Sequence, residues 1–397
     1  MSAIKVYSSA IFGLDASPIE VQVDVTPGLH TFSIVGLASK TVEESRDRIA
    51  SAIKNSSLIP PKQKSLRIVV NLAPADTRKE GPAYDLPIAI GYLLATKQLQ
   101  PTHSLDGVLF MGELALDGRI QPVSGILSSA VMANDNKFTE IIVPAQNTRE
   151  AAIVNGIKVI GVKTLAEAVS YISGKLAIQP ERSTSLNVEG NTRSSISESF
   201  EIDFDDIKGQ ESAKRALIIA AAGGHNILLY GPPGSGKTLL AKAINSILPP
   251  MSIDEAIEIT KIVSINGSLG SKALVTRRPF RNPHHSTSSV AIIGGGSWPR
   301  PGEISLAHRG VLFLDEFPEF PRTVIEALRQ PLEHGEVVVS RAAGSVRFPS
   351  RFMLVAAMNP CPCGNYGDPI KACICSPQAI NRYQRKISGP ILDRIDL

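Results

Sequence analysis

The sequence predicts an α/β protein in which a P-loop nucleotide-binding domain follows an α+β domain. Three observations predict it. Gly231-Pro232-Pro233-Gly234-Ser235-Gly236-Lys237-Thr238 has the spacing G-x-x-x-x-G-K-T, between a strand-like apolar run at 226–230 and a helix-like run at 239–248; strand, loop and helix in that order make a phosphate-binding loop. Residues 310–316 form a second apolar run that ends in Asp315 and Glu316, as a buried strand with two carboxylates at its carboxyl end would. Residues 176–203 turn to Ser, Thr, Asn and charge, a composition that cannot bury enough surface to order itself and reads as a flexible tether. The expected division is therefore 1–175, a linker at 176–203, and a nucleotide-binding domain at 204–397.

Composition bounds the class. The 397 residues are 43% hydrophobic and 20% charged, ordinary for a globular protein of two or three domains. No apolar run reaches membrane-span length, and the N-terminus lacks a signal-peptide core, so the expected compartment is the cytoplasm, with no membrane partner. The net charge of +4 permits a polyanionic partner without demanding one.

In the first domain, 4–12 and 19–25 alternate as strands, and 30–35 follows a Pro27-Gly28 turn. Residues 40–54 read as a helix with Val42, Ile49 and Ile53 on one face. Then come a strand at 66–72, a helix at 84–94, a strand at 108–116, a helix at 124–134, a strand at 139–143 and a helix at 165–173. Two stretches, Lys79-Glu80-Gly81-Pro82-Ala83-Tyr84-Asp85 and the run from Gly112-Glu113 through Gly118 and Pro122 to Gly125, resemble the proteolytic domain of Lon-type proteases. The resemblance places that family's catalytic Ser at Ala83 and its Lys at Ser129. A Ser–Lys dyad needs a hydroxyl to attack and an amine to take its proton. Ala83 supplies no hydroxyl, so the resemblance implies the fold with a scaffold or docking role and no peptidase chemistry.

In the nucleotide-binding domain, glycines let successive N–H groups of the 231–238 loop turn toward phosphate oxygens, and the following helix adds its positive end. Lys237 is expected on the β- and γ-phosphates of ATP and Thr238 on Mg2+. Asp315 would help hold Mg2+, and Glu316 would orient or deprotonate the attacking water. Three further stretches resemble the AAA+ class. Ile207, Gly209 and Gln210 match a segment that packs near adenine, and Asn359, ending the apolar run 352–358, matches a sensor amide. Arg394, in Asp393-Arg394, matches an arginine finger that reaches the γ-phosphate of a neighbouring subunit. That last role implies a ring; the local alternative pairs Arg394 with Asp393 or Asp396.

The resemblance narrows further on Arg278-Pro279-Phe280-Arg281-Asn282-Pro283-His284-His285, on Gly294 to His308, on 328–333 and on Cys361-Pro362-Cys363-Gly364. The chain is similar throughout to the ComM (YifB) subfamily of magnesium-chelatase-like AAA+ ATPases. It implies a hexameric ring that hydrolyses ATP and works on DNA by branch migration or helicase action, as in natural transformation. A protein-remodelling ATPase of magnesium-chelatase type is the alternative. The family continues into a helical lid with a second sensor arginine; a chain ending at Leu397 is expected to lack it.

Two inserts carry the remaining signals. Residues 276–303 hold Arg277, Arg278, Arg281 and Arg300 with His284 and His285, and 334–350 reads as a hairpin with Arg341 and Arg347 flanking its turn. The resemblance places both inserts at a central pore, where Arg341 and Arg347 would meet DNA phosphates. His284-His285 has no third ligand nearby in sequence and reads as structural. All four cysteines, Cys361, Cys363, Cys373 and Cys375, fall within fifteen residues. They suit a tetrahedral Zn2+ site or, equally, reduced free thiols or a redox-labile pair.

Overall fold

The computed structural model describes residues 3–37, 39–63, 65–77, 79–181, 202–270, 273–296, 298–341 and 344–397. Most of the expected linker, 182–201, lies outside the described residues, as do Ala342 and Ala343 of the expected hairpin turn. The chain divides into two compact units, Met1–Leu186 with Val263–Leu274, and Asn187–Ile262 with Val275–Leu397. Among the described residues no helix is long and apolar enough to cross a membrane.

The first unit is built on a mixed seven-stranded sheet. Its strands are β1 (Ile4–Phe12), β2 (Asp15–Pro27), β3 (Thr31–Val35), β4 (Leu66–Ala73), β5 (Val108–Phe110), β6 (Glu140–Pro144) and β7 (Lys158–Val162), in the order β3-β4-β2-β1-β5-β6-β7. The β1–β2 hairpin pairs antiparallel from Ile4↔Val23 to Phe12↔Asp15, and β5, β6 and β7 run parallel. Period-two alternation buries Val6, Ile19, Val21, Val23, Ile68, Val70 and Leu72 against two helices, α1 (Ser45–Asn55) and α2 (Asp85–Ala95). Every residue from Asp85 to Leu93 of α2 is buried.

Two expected elements come out differently. The helix expected at 40–54 is Lys40–Glu43 followed by α1, with a turn at Glu44; Val42, Ile49 and Ile53 are all fully buried as the pattern requires. The strand expected at 108–116 splits. After β5 the chain leaves the sheet because Gly112 exchanges backbone hydrogen bonds with the start of α2, donating to Ala83 O and accepting from Leu86 N. Glu113–Leu114 then pairs with Ile120–Gln121 in a separate ladder.

Asp85 ties these pieces together. Its carboxylate accepts from Arg48 Nε at 2.7 Å and from Leu114 N at 3.1 Å, and Arg48 also donates to Ser45 Oγ. Burial raises the Asp85 pKa even though Arg48 pulls it down. At the dyad positions, Ser129 is fully buried with its hydroxyl 2.6 Å from Ser9 Oγ, and Ala83 is half-buried.

The second unit is a four-stranded parallel sheet. Its strands are β8 (Ile227–Tyr230), β9 (Phe280–Arg281), β10 (Val311–Leu314) and β13 (Met353–Met358), in the order β8-β13-β10-β9. Between β10 and β13 lies a hairpin of β11 (Glu336–Arg341) and β12 (Gly344–Pro349). β10 and β13 are buried at every position, as a parallel strand covered on both faces must be. Val311, Phe313, Val355 and Ala357 pack toward helices α3 (Glu211–Gly223) and α4 (Lys237–Ile247) through Leu217, Leu240 and Ile244. Leu312, Leu314, Leu354 and Ala356 pack on the opposite side against Ile304, Phe317, Val324 and Leu328.

Candidate nucleotide site

The sheet order decides which residues meet. β8, β13 and β10 are neighbours in register, Tyr230 beside Met358 and Leu314 beside Ala356. Their carboxyl ends therefore deliver the 231–236 loop, Asn359 and Asp315-Glu316 to one edge, where open parallel sheets bind ligands. Gly231 N bonds to Met358 O across that edge.

Gly234 (φ +78°) and Gly236 (φ +86°) are in the left-handed region, with open space where a Cβ would project. A glycine at both positions lets the loop turn and stand clear in front of α4. Lys237 opens α4 and folds back over the loop, its Nζ donating to Gly231 O (2.8 Å), Pro232 O (2.9 Å) and Asn359 Oδ1 (3.1 Å). Burial holds this ammonium below the usual lysine range, against the pull of Asp315. Thr238 Oγ1 donates to Asp315 Oδ2 at 2.7 Å, and Asp315 Oδ1 accepts from Glu316 N. Hydroxyl and carboxylate oxygens, the donor set that Mg2+ takes, thus converge beside a lysine ammonium. The residues fit a nucleotide phosphate chain with its Mg2+.

Around this cluster the other expected residues fall as follows. Gln210 Nε2 donates to Ser235 O at 3.3 Å, so Gln210 lies on the loop, while Ile207 is buried in the core with Phe204 and Leu217. Arg394 is elsewhere. Its carbonyl accepts from Asn226 Nδ2 just ahead of β8, at the end of that strand opposite the loop. Its guanidinium pairs with Glu333 at 2.6 Å rather than with Asp393 or Asp396.

One residue of the site is not among those expected there. His285, expected to be structural, places Nδ1 3.0 Å from Glu316 Oε2, and its ring lies 4.2 Å from that of His284. Glu316 itself adopts a left-handed backbone, φ +51°, which costs a non-glycine residue about 1–2 kcal/mol; such strain gathers at working sites. The His285 contact bears on the partly exposed carboxylate of a strained residue. His285→Ala is expected to lower ATP turnover by as much as about 100-fold while leaving nucleotide affinity near wild type, measured as a kcat-against-KM split; an unchanged kcat would refute the contact's importance.

The two inserts meet. Val337, Val339, Val346 and Phe348 bury one face of the β11–β12 hairpin, and Val338, Ser340, Ser345 and Arg347 stand on the other. Arg341 reaches across to Gly294 O at 3.3 Å, and Gly295 lies directly beneath its guanidinium. Arg347, 76% exposed, makes a 3.6 Å pair with Glu336. Of the basic residues in 276–303, Arg278 is spent on Pro249 O, Arg309 O and Glu255, and Arg281 on a two-pronged pair with Glu303. Beyond Asn359, the four cysteine sulfurs lie within 4.8 Å of one another, with Cys361 buried. Backbone N–H groups of Asn365 and Ile374 pull the Cys363 thiol down to about 6.

Comparison with known proteins agrees with this architecture. Residues 203–397 match the family model "Magnesium chelatase, subunit ChlI", and residues 21–147 match "Subunit ChlI of Mg-chelatase". The chain is 45% identical to competence protein ComM of Haemophilus influenzae over 401 residues, all of this chain and 76% of that protein. It is 45% identical to YifB of Escherichia coli, over all of this chain and 75% of that protein. The magnesium-chelatase 38 kDa subunit of Rhodobacter capsulatus is 29% identical over 177 residues, 40% of this chain and 50% of that subunit. With near-half identity along its entire length and the nucleotide-site geometry above, the chain belongs to the ComM/YifB family of magnesium-chelatase-like AAA+ ATPases.

Proposed function

We propose that the protein is an ATP-hydrolysing, ring-forming motor that acts on DNA, a branch-migration helicase serving natural transformation and recombination. The observation that carries the ATPase half is the convergence of Lys237, Thr238, Asp315, Glu316 and Asn359 at one sheet edge. Lys237 binds the β- and γ-phosphates and Thr238 and Asp315 hold Mg2+, which supplies charge neutralisation on the phosphates. Glu316, positioned by His285, takes the proton of the attacking water. Asn359 senses the γ-phosphate side, and Ile207 and Gln210 lie toward the base. Arg394, lying at the far end of β8 from its own loop, serves the site of the next subunit in a hexamer and would exchange Glu333 for phosphate oxygens.

The DNA half is supported by the exposed hairpin with Arg341 and Arg347, and by full-length similarity to a protein named for competence. The Arg347–Glu336 pair is exposed, and such a pair is weak, so phosphate can displace it. Arg341→Ala and Arg347→Ala are each expected to weaken DNA binding alike for all sequences and to reduce the salt slope of binding by about one. Titrations at several salt concentrations check this; an unchanged slope in both variants removes the hairpin from the DNA path.

In this reading residues 1–175 are a Lon-like docking domain without protease activity, since Ala83 and Ser129 offer no Ser–Lys dyad, 176–203 tethers it, and 204–397 is the motor core. Zn2+ on the four cysteines belongs to the same reading, and the protein works in the cytoplasm. Similarity to the Rhodobacter capsulatus chelatase subunit favours a second reading, a protein-remodelling ATPase, but that match spans 40% of the chain, against all of it for ComM.

A further inference from the structure

We infer that Zn2+ held by Cys361, Cys363, Cys373 and Cys375 braces the nucleotide site through Pro233 and Asn359, so that metal occupancy sets nucleotide affinity. The inference rests on the ATP reading above.

The sulfur geometry supports the metal. Cys361, Cys363 and Cys373 sulfurs are 3.3–3.6 Å apart, and all four lie within 4.8 Å. A tetrahedral site with Zn–S bonds of about 2.3 Å places sulfurs about 3.8 Å apart. The distances are too long for disulfides. The loop also needs a support: residues 361–375 contain no helix or strand, and Ile370 and Ile374 are 90% and 87% exposed. A fifteen-residue loop that turns its apolar side chains outward has no core of its own, which is the situation that structural zinc resolves.

The placement gives the coupling. Cys361 lies two residues beyond Asn359, whose amide touches Lys237. Gly364 is packed so tightly on the phosphate loop that a Cβ there would lie 2.6 Å from Pro233 Cδ. Gln384 donates to Pro360 O between the two. A loop without its metal would lose the backing of both Pro233 and Asn359.

Purified protein is expected to contain one Zn2+ per chain, and cobalt exchange is expected to give an intense thiolate-to-cobalt absorption band. Stripping zinc from reduced wild-type protein with a zinc-selective chelator, with circular dichroism monitoring the fold, should weaken binding of a fluorescent ATP analogue by about 5- to 150-fold. Zinc, not added Mg2+, should restore it. By reciprocity the analogue should tighten equilibrium zinc binding by the same factor, read by competition with the chelator. The double variant Cys361→Ser/Cys373→Ser should match the stripped protein; where it fails to fold, the cobalt titration of wild type decides. Absence of stoichiometric zinc and of the cobalt band overturns the metal site. Zinc present, with nucleotide affinity unchanged on stripping, overturns the coupling. Zinc-loaded wild type that binds no nucleotide overturns the ATP reading and the coupling together and leaves the metal site standing; Lys237→Ala, with zinc retained and nucleotide lost, shows that the two measurements separate.

Discussion

Lys237→Ala is expected to abolish ATP binding and turnover, while Glu316→Gln keeps the nucleotide and loses turnover by about 10²–10⁴-fold. The two differ because the side chains do different work. Lys237 is partly buried and already gathers Gly231 O, Pro232 O and Asn359 Oδ1 around its ammonium. Its removal leaves those acceptors facing one another and takes away the charge that phosphate oxygens need. Glu316 touches none of these groups; it meets His285 and stands one residue beyond Asp315. A glutamine there preserves shape and removes the proposed base, and a positioned base is worth about 10²–10⁴ in rate. Binding of a fluorescent nucleotide together with phosphate release separates the two. Turnover of Glu316→Gln at the wild-type rate would exclude Glu316 as base.

The largest expected stability effect lies in the first unit. Arg48→Ala should cost about 3–5 kcal/mol, the range for leaving a buried ionised group without its charge partner, because Asp85 is fully buried and its carboxylate accepts from the partly exposed Arg48 and from Leu114 N. Asp85 already has a raised pKa, with burial outweighing its partners. A carboxylate whose folded pKa lies above its unfolded value contributes stability at low pH and loses it as pH rises through the folded pKa. Losing Arg48 raises that folded pKa further. The destabilisation should therefore be smaller near pH 5 than near pH 8, and Arg48→Ala/Asp85→Asn should recover part of it. Denaturant midpoints at both pH values measure this; an equal loss at both would mean that the arginine contributes packing alone.

What the sequence made legible, and what it hid, follows from the range of the interactions. The phosphate loop, the apolar run before Asp315 and the alternation at 19–25 in β2 are local patterns, and each appears where local chemistry puts it, whereas β1 buries Ser8, Ser9 and Ala10 in succession. The split after β5 was hidden because Gly112 leaves the sheet to bond Ala83 and Leu86, nearly thirty residues upstream. The same holds for His285, whose partner Glu316 is brought near by the sheet order and not by any spacing in the chain. Arg278 and Arg281 look alike in sequence to Arg341 and Arg347. Only the fold shows that Glu255 and Glu303 hold the first two in partly buried pairs, while Arg341 beside the hairpin turn bonds only carbonyls among the described residues and Arg347, opposite Val338 in the ladder, keeps an exposed pair with Glu336.

The central claim, a DNA-driven ATPase, is tested most directly by the phosphate-release rate at low salt with no DNA, duplex DNA and branched DNA, beside the Lys237→Ala variant. The account predicts a rate that rises with DNA, most with the branched form, falls back as salt is raised, and vanishes in Lys237→Ala. A Lys237-dependent rate that no form of DNA changes at low salt would contradict it and move the assignment to protein remodelling.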